Sequence, residues 1–289
     1  MDRADAHLHL FADGYPGRYG RSPAGGQEIA AYQDIRRVHG IDRALVVGYE
    51  GESRFAGNND YLAGLAARHP WIAPVAYVPP GGPADGQLAR WWAAGFVGLA
   101  VYLTDAEAAD RFTDWVAGSA GDLITAGAVL SLNATPAATR RLGTALAALD
   151  GCPVLFSHLG LPGSRATPPN PQQAAETLTP LLDLAPLPHV GVKISGLYAV
   201  SEPPHAWPHA AARPFVELLL ERFGSRRLYW GSDFPPSLDH VSFAQTLEPV
   251  GLDDLAPTER ADVFGANLRR VLDRATATGG DVSAAEPSS

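Results

Sequence analysis

Eight short apolar runs alternate along the chain with stretches that carry apolar residues at three- and four-residue spacing. Runs of this kind, bounded by Gly, Pro or polar clusters, predict buried strands, and the stretches between them predict amphipathic helices. The predicted strands are Ala4–Phe11, Ala44–Gly48, Ile72–Val78, Val97–Leu103, Gly127–Asn133, Pro153–His158, Val190–Ser195 and Arg227–Asp233. The predicted helices are Gln27–Val38, Asn58–Arg68, Ala84–Ala94, Ala106–Val116, Pro136–Leu149, Pro171–Leu184, His209–Phe223 and Thr258–Ala275.

This alternation predicts an α/β protein of the (β/α)8 TIM barrel class, because the number of units and their combined length fit that fold. A doubly wound open sheet is the competing arrangement. No Gly-rich phosphate-binding segment follows the first strand, which disfavours that alternative. We therefore predict one barrel domain over residues 1–275 and a disordered tail over residues 276–289, which are mostly small and polar.

Composition excludes several classes of protein and partner. The chain has no long uninterrupted apolar run, which predicts no membrane-spanning helix, and its polar, acidic first residues predict no secretory signal peptide. Cys152 is the only cysteine, so neither an internal disulfide nor a cysteine-based zinc site is expected, and a cytoplasmic location is favoured. The net charge of -9 without a basic run disfavours nucleic acid and anionic membrane as partners, and a small-molecule substrate is expected. A homo-oligomer is left open.

Residues that carry chemistry stand at the ends of three predicted strands. His7 and His9 are two residues apart on the first strand and therefore share a face. The sixth predicted strand ends in His158 and the eighth ends in Asp233. In a barrel, the C-terminal ends of the strands meet at one rim, where the active sites of such enzymes lie. We therefore predict that these four side chains converge there.

The order and spacing of four segments resemble those of a known family. The first strand with its His-x-His pair, SHLG, VKISGLY and YWGSDFP resemble the amidohydrolase superfamily, in its amidohydrolase-related (amidohydrolase 2) branch of lactonases and decarboxylases. The segment from Asn59 to Pro79 resembles the third unit of that branch. The resemblance covers nearly the whole chain and is strongest to the subgroup that contains 2-pyrone-4,6-dicarboxylate lactonase and the sugar-lactone hydrolases.

The resemblance implies a hydrolase that opens a cyclic ester. Asp233 would be the general base that activates the attacking water, and His7, His9 and His158 would polarise the carbonyl. Two versions of this mechanism stay open, one with a metal and one without. In one, these three histidines and Asp233 bind one divalent metal, zinc or manganese; in the other, no metal takes part.

Two other functions are alternatives to a lactonase. The first is a metal-dependent non-oxidative decarboxylase or hydratase, and the second is a barrel that binds a small metabolite without catalysis. The fourth and fifth predicted strands offer no strong metal ligand, although Asn133 could contribute an oxygen. This disfavours a binuclear site and the decarboxylases. The group of three histidines and an aspartate disfavours the non-catalytic protein.

Substrate contacts are predicted at strand ends and in the loops that follow. Lys193, the only lysine among 22 basic residues, shares a face with Ser195 and is expected near Asp233 or the substrate. The remaining predicted substrate-binding residues are Tyr49, Tyr77, Arg54 and Tyr198.

The arginines of the chain bear on the charge of the substrate. Ala199 stands where the family's pattern has an arginine, and arginine is the usual partner of a substrate carboxylate. Arg18, Arg21, Arg54 and Arg165 are the possible replacements. Without such a replacement, a neutral lactone is the expected substrate.

Overall fold

A parallel eight-stranded sheet in the order β1 to β8 forms the wall of the molecule, and helices lie between the strands. The computed structural model describes residues 2–282. The predicted (β/α)8 barrel is confirmed, and every predicted strand is present. The strands are β1 Arg3–Leu8, β2 Ile41–Val47, β3 Ile72–Val78, β4 Gly98–Leu103, β5 Val129–Ala134, β6 Val154–Phe156, β7 Val190–Ile194 and β8 Leu228–Trp230.

The helices follow the predicted pattern with local differences. They are α1 Glu28–His39, α2 Asn58–Ala66, α3 Gln87–Ala93, α4 Ala106–Thr125, α5 Pro136–Thr139, α6 Gly143–Ala147, α7 Pro171–Leu182, α8 Leu197–Val200, α9 Arg213–Phe223, α10 Phe243–Thr246, α11 Pro257–Ala261 and α12 Asn267–Val282. Short 3-10 helices are Ser53–Phe55, His158–Gly160, Ala210–Ala212, Ser225–Arg227 and Pro236–Asp239, and a π-helix spans Asp262–Ala266.

Four predicted helices were wrong in their extent. The helix predicted over Ala106–Val116 continues to Thr125, and the one predicted over Thr258–Ala275 is divided into α11, the π-helix and α12. The helix predicted over Pro136–Leu149 is two short helices, α5 and α6, separated at Arg141, whose guanidinium makes two hydrogen bonds to the Asp110 carboxylate of α4. The helix predicted from His209 begins at Arg213 instead. His209 has a left-handed backbone, and Pro214 occupies the first turn, where proline favours a helix start.

The first strand closes the barrel and contains a bulge. A parallel bridge joins Leu8 to Phe234, in the segment after β8. On the other edge, Asp5 pairs with Ala44 and Leu8 pairs with Val46, so three steps along β1 oppose two steps along β2. That excess of one residue is a β-bulge, a feature that commonly redirects a side chain beside an active site.

The last helix seals one end of the barrel. Leu45 and Val47 of β2 point inward and pack in one cluster with Leu268 and Leu272 of α12. Helix α12 contacts β1, β5 and β8, which lie on opposite sides of the barrel, so it crosses the N-terminal end of the strands. The end that remains for a ligand is therefore the C-terminal rim.

The predicted tail begins within this last helix. Helix α12 includes residues 276–282, so the structure extends the helix past the predicted domain boundary at residue 275. The rest of the predicted tail, residues 283–289, lies outside the described residues. The division into one domain and a tail stays a prediction. Within residues 2–282, none of the helices combines the length and apolar character needed to cross a membrane.

Candidate active site

Asp5 holds the bulged segment of β1 in place. Its Oδ1 accepts hydrogen bonds from the backbone N–H groups of His7 (3.1 Å) and Ser232 (2.9 Å). Its Oδ2 accepts a hydrogen bond from the Tyr32 hydroxyl of α1 at 2.7 Å. Burial raises the pKa of Asp5 to about 6, although these donors oppose the shift. One carboxylate thus connects the first strand to the segment that carries Asp233.

The centre of the site is formed by His7, His158 and Asp233. The His7 Nε2 lies 3.7 Å from Asp233 Oδ1, and the His158 Nδ1 lies 3.9 Å from Asp233 Oδ2. The two imidazole rings are 4.5 Å apart between centroids. The structure therefore brings together residues that follow or belong to β1, β6 and β8, as the rim rule predicts for a barrel.

His9 lies beside this centre with a defined proton position. Its ring is 5.1 Å from that of His7, and its Nδ1 is 2.8 Å from the carbonyl oxygen of Val47. Because a carbonyl oxygen only accepts, the His9 Nδ1 carries the proton. In the neutral ring, the His9 Nε2 therefore has a lone pair and can accept a hydrogen bond or bind a cation.

The chain turns sharply where His158 and Asp233 leave their strands. Both have left-handed backbones, with φ of 53° and 54°. That conformation costs roughly 1–2 kcal/mol for a residue with a side chain, and it persists where surrounding contacts fix it. Gly196, in the SGLY segment, lies so close that an added Cβ would be 2.5 Å from the His158 Nδ1. The glycine is therefore required by the position of the histidine.

Burial keeps the three histidines neutral near pH 7. It lowers the pKa of His7 well below its ordinary value, and the positive charge of Lys193 acts in the same direction. It also lowers the pKa of His9 and of His158, although Asp233 opposes both shifts. Neutral imidazoles can donate from one nitrogen and accept at the other.

Tyr198 orients the carboxylate of Asp233. Its hydroxyl donates a hydrogen bond to Asp233 Oδ2 at 2.8 Å, and its ring stacks on that of His240 at 4.7 Å. Burial raises the pKa of Tyr198 well above its ordinary value, and the Asp233 charge adds to this. The hydroxyl therefore keeps its proton and acts as a donor, while Asp233 Oδ1 stays available on the side of His7.

Replacing Tyr198 by phenylalanine is expected to lower kcat about tenfold and to leave the unfolding midpoint nearly unchanged. The variant keeps the ring that stacks on His240 but removes a hydrogen bond to a charged group, which contributes roughly 1.5–3 kcal/mol. Steady-state kinetics on any hydrolysed lactone checks this. An unchanged kcat would show that Asp233 is oriented without the hydroxyl.

Lys193 lies beneath the centre, in contact with His7 and Ser131. Its amine is 2.6 Å from the Ser131 Oγ and 3.2 Å from the His7 Nδ1, and its side chain is fully buried. Burial lowers the pKa of Lys193 to about 7, against the effect of the Asp5 and Asp233 carboxylates. The sequence predicts Lys193 as a substrate contact; in the structure its amine lies behind His7, and it does not belong to the cavity lining.

A cavity of about 630 Å³ opens above the centre at the C-terminal rim. Of the site residues predicted from the sequence, its lining includes His9, His158, Asp233, Tyr49, Arg54 and Tyr198. His7 lies under this lining. Tyr77 packs its ring against Tyr49 and Tyr102, at 5.8 Å and 5.9 Å, and does not belong to the lining.

One side of the cavity is an aromatic wall, of which only Tyr49 was predicted from the sequence as a substrate contact. It consists of Phe11, Tyr49, Phe55 and Tyr102, whose neighbouring rings lie 4.4–5.5 Å apart. Tyr102 comes from the end of β4, so the strand-end rule that pointed to Tyr49 would also have found it. Asp5 was missed because its contact with Tyr32 depends on the bulge in β1, which the two-residue period does not predict.

The donor set of the centre fits a divalent cation. Among the residues that the structure describes, one group of His, Cys, Asp or Glu brings its ligand atoms within 4.8 Å of one another, and it consists of His7, His158 and Asp233. The His7 Nε2 is buried and has no hydrogen-bond partner in the protein. Imidazole nitrogen and carboxylate oxygen are ligands that zinc accepts.

A parallel barrel with such a centre at its C-terminal rim is a barrel enzyme by its architecture. The protein-family model described as amidohydrolase matches residues 4–274. The chain therefore belongs to the amidohydrolase family, and it is a hydrolase.

The chain is also similar to three known proteins. A segment of L-fucono-1,5-lactonase from Burkholderia ambifaria is 35% identical over 94 residues, a match that spans 29% of this chain and 31% of that protein. The fold is shared with an amidohydrolase from Burkholderia multivorans that has bound zinc, with a TM-score of 0.71, 22% identity, and coverage of 94% and 99% of the two chains. It is also shared with a Pseudomonas putida protein provisionally described as a 2-pyrone-4,6-dicarboxylic acid hydrolase, with a TM-score of 0.68, 21% identity, and coverage of 95% and 98%.

Proposed function

We propose that the protein is a lactonase that adds water to the carbonyl of an uncharged cyclic ester. The observation that carries this proposal is the Asp233 carboxylate, which is oriented by Tyr198 and lies beside neutral imidazoles at the floor of an open cavity. The lactonase segment that is similar to this chain and the family membership support the same reaction class.

The reaction needs one base, one acid and stabilisation of one oxyanion. Water attacks the carbonyl carbon of the lactone while Asp233 takes a proton from it, and an imidazole N–H stabilises the negative charge on the carbonyl oxygen. Asp233 then returns the proton to the ring oxygen as the C–O bond breaks. Lactone and water thus become one hydroxy acid, and Asp233 regains its charge.

The histidines divide this work according to their hydrogen bonds. His9 donates its Nδ1 proton to Val47, so in neutral form it has no proton left for the oxyanion and accepts from the attacking water instead. The oxyanion donor is then His7 or His158. A divalent cation bound by His7, His158 and Asp233 would polarise the carbonyl and acidify the water.

The charges around the cavity favour an uncharged substrate. Arg54 pairs with Glu52 at 2.5 Å, and Asp239 accepts a hydrogen bond from the Arg18 backbone N–H at 2.8 Å. The lining therefore has three carboxylates, those of Glu52, Asp239 and Asp233, against two positively charged arginines. Of the other two possible replacements for the missing arginine, Arg165 donates to Thr177 behind the rim, and neither it nor Arg21 lines the cavity.

A panel of lactones tests the proposed substrate class. Neutral five- and six-membered lactones are expected to be hydrolysed with a kcat/KM about 10- to 100-fold above that of 2-pyrone-4,6-dicarboxylate, because like charges a few ångströms apart repel by roughly 1–4 kcal/mol at a protein surface. Product hydroxy acid is measured by proton release. Faster hydrolysis of the dicarboxylate would contradict the uncharged class, and release of carbon dioxide would favour the decarboxylase alternative.

A further inference from the structure

We propose that Lys193 is a positioning residue that donates a hydrogen bond to the His7 Nδ1, holds His7 in the tautomer with its proton on Nε2, and thereby weakens the binding of divalent cations at this centre. The inference concerns the state of His7. It rests on the proposed function only for its effect on turnover, and its main test uses no lactone.

The amine of Lys193 has a fixed geometry between two partners. Ser131, itself buried, anchors it at 2.6 Å from the serine Oγ, and this leaves the amine 3.2 Å from the His7 Nδ1. An ammonium group has three donors and no acceptor. Whenever Lys193 is charged, the His7 Nδ1 must therefore accept, and the single proton of the neutral ring is on Nε2.

His7 and His9 are then different tautomers: the proton is on Nε2 in His7 and on Nδ1 in His9. His9 donates from Nδ1 to a backbone carbonyl, which is the arrangement that metal-binding histidines nearly always show, because it leaves Nε2 free to bind. At the corresponding position, His7 has the Lys193 amine at 3.2 Å and, farther away at 3.4 Å, the Ser157 hydroxyl, which can either donate or accept. When Lys193 is charged, the His9 Nε2 is therefore free to accept a cation, whereas the His7 Nε2 carries a proton that a cation would have to displace.

The protonated Nε2 of His7 points at the reacting region. It is buried, has no hydrogen-bond partner in the protein, and lies 3.7 Å from Asp233 Oδ1. In that position the N–H can donate to an oxyanion that forms beside Asp233. A cation that used the same nitrogen would first have to displace this proton and would lie near the positive charge of Lys193.

A Lys193→Met variant tests this dependence. Removing the donor lets His7 adopt the other tautomer, so the zinc affinity of the metal-free protein is expected to rise at least about tenfold, a change typical of the outer partners of metal ligands. Competition with a chromophoric chelator measures it. On a hydrolysed lactone, kcat should fall while KM changes little. Arg111→Met is the matched control, because it removes an exposed positive charge on α4 and leaves the centre intact.

NMR of the unmodified protein can locate the His7 ring proton directly, and a merely structural role of Lys193 would not determine its position. With 15N-labelled histidine, the His7 signals, assigned with a His7→Gln variant, should show the proton on Nε2. Lys193 is the only lysine, so its labelled amine gives one side-chain signal, which should be close to the His7 ring.

Three outcomes would overturn the proposal. The first is a His7 proton on Nδ1 in the unmodified protein. The second is a folded Lys193→Met variant whose zinc affinity stays within about twofold of the original. The third is an equal gain in zinc affinity in Lys193→Arg, which keeps a cationic donor, because the effect would then come from altered packing. If Lys193→Met does not fold, the NMR measurement alone decides.

Discussion

Asp233→Asn is expected to lower kcat on a hydrolysed lactone about 10³-fold, within the range of 10²–10⁴ that a general base contributes. The substitution keeps the shape of the side chain, and the amide oxygen can still accept the hydrogen bond from Tyr198. What it removes is the group that takes the proton from water. Single-turnover kinetics and a binding measurement with the product hydroxy acid separate the loss of chemistry from a loss of binding.

Asp239→Asn is the matched control for that variant. Asp239 lines the same cavity but lies at its rim, where it accepts a hydrogen bond from a backbone N–H of Arg18. We expect its kcat to stay within about threefold of the original, because a surface charge alters local interactions only weakly. If Asp233→Asn were as active as Asp239→Asn, the proposed mechanism would be wrong. A barrel that binds without catalysis would show no turnover in any variant.

Asp5→Ala is expected to lower the free energy of unfolding by about 3–5 kcal/mol, the range found when one member of a buried charged network is removed. Three buried donors lose their acceptor: the backbone N–H groups of His7 and Ser232 and the hydroxyl of Tyr32. Each unsatisfied donor costs roughly 1–3 kcal/mol before the structure relaxes. Urea unfolding followed by tryptophan fluorescence measures the change.

Two milder variants show whether the carboxylate acts through these hydrogen bonds. Asp5→Asn keeps an oxygen at the position of Oδ1 for both backbone donors, and Tyr32→Phe removes only the hydroxyl. Each should cost about 1–2 kcal/mol, clearly less than Asp5→Ala. An Asp5→Ala variant that unfolds within about 1 kcal/mol of the original protein would mean that the bulge is held by packing alone.

The barrel and its four chemical residues could be predicted because both depend on regular features. The strands have short apolar runs, and the rim rule places His158 and Asp233 together although they are far apart in sequence. His7 and His9 share a side as the two-residue period requires. The period alone would put Asp5 on that side too, but the bulge interrupts the alternation, and Asp5 faces Tyr32 of α1 instead.

Features that depend on tertiary contacts could not be read in advance. The sequence does not predict that Lys193 contacts His7 and Ser131, because those contacts depend on how deep its position in β7 lies in the barrel. At the break between α5 and α6, Arg141 pairs with Asp110 of the preceding helix, a contact between residues far apart in sequence that no local pattern reveals. The balance of charges in the cavity depends on loops whose course has no periodic pattern.

The hydrogen bonds by which Asp5 joins β1 to the segment after β8 also constrain the order in which the barrel can form during synthesis. Strand β1 can pair with β2 early, but its other edge and the Asp5 carboxylate find Phe234 and Ser232 only after β8 has left the ribosome. Until then, a nascent chain carries an open strand edge and two histidines without their aspartate. Such edges invite pairing with other chains, so closure of the barrel after β8 emerges removes a possible site of aggregation.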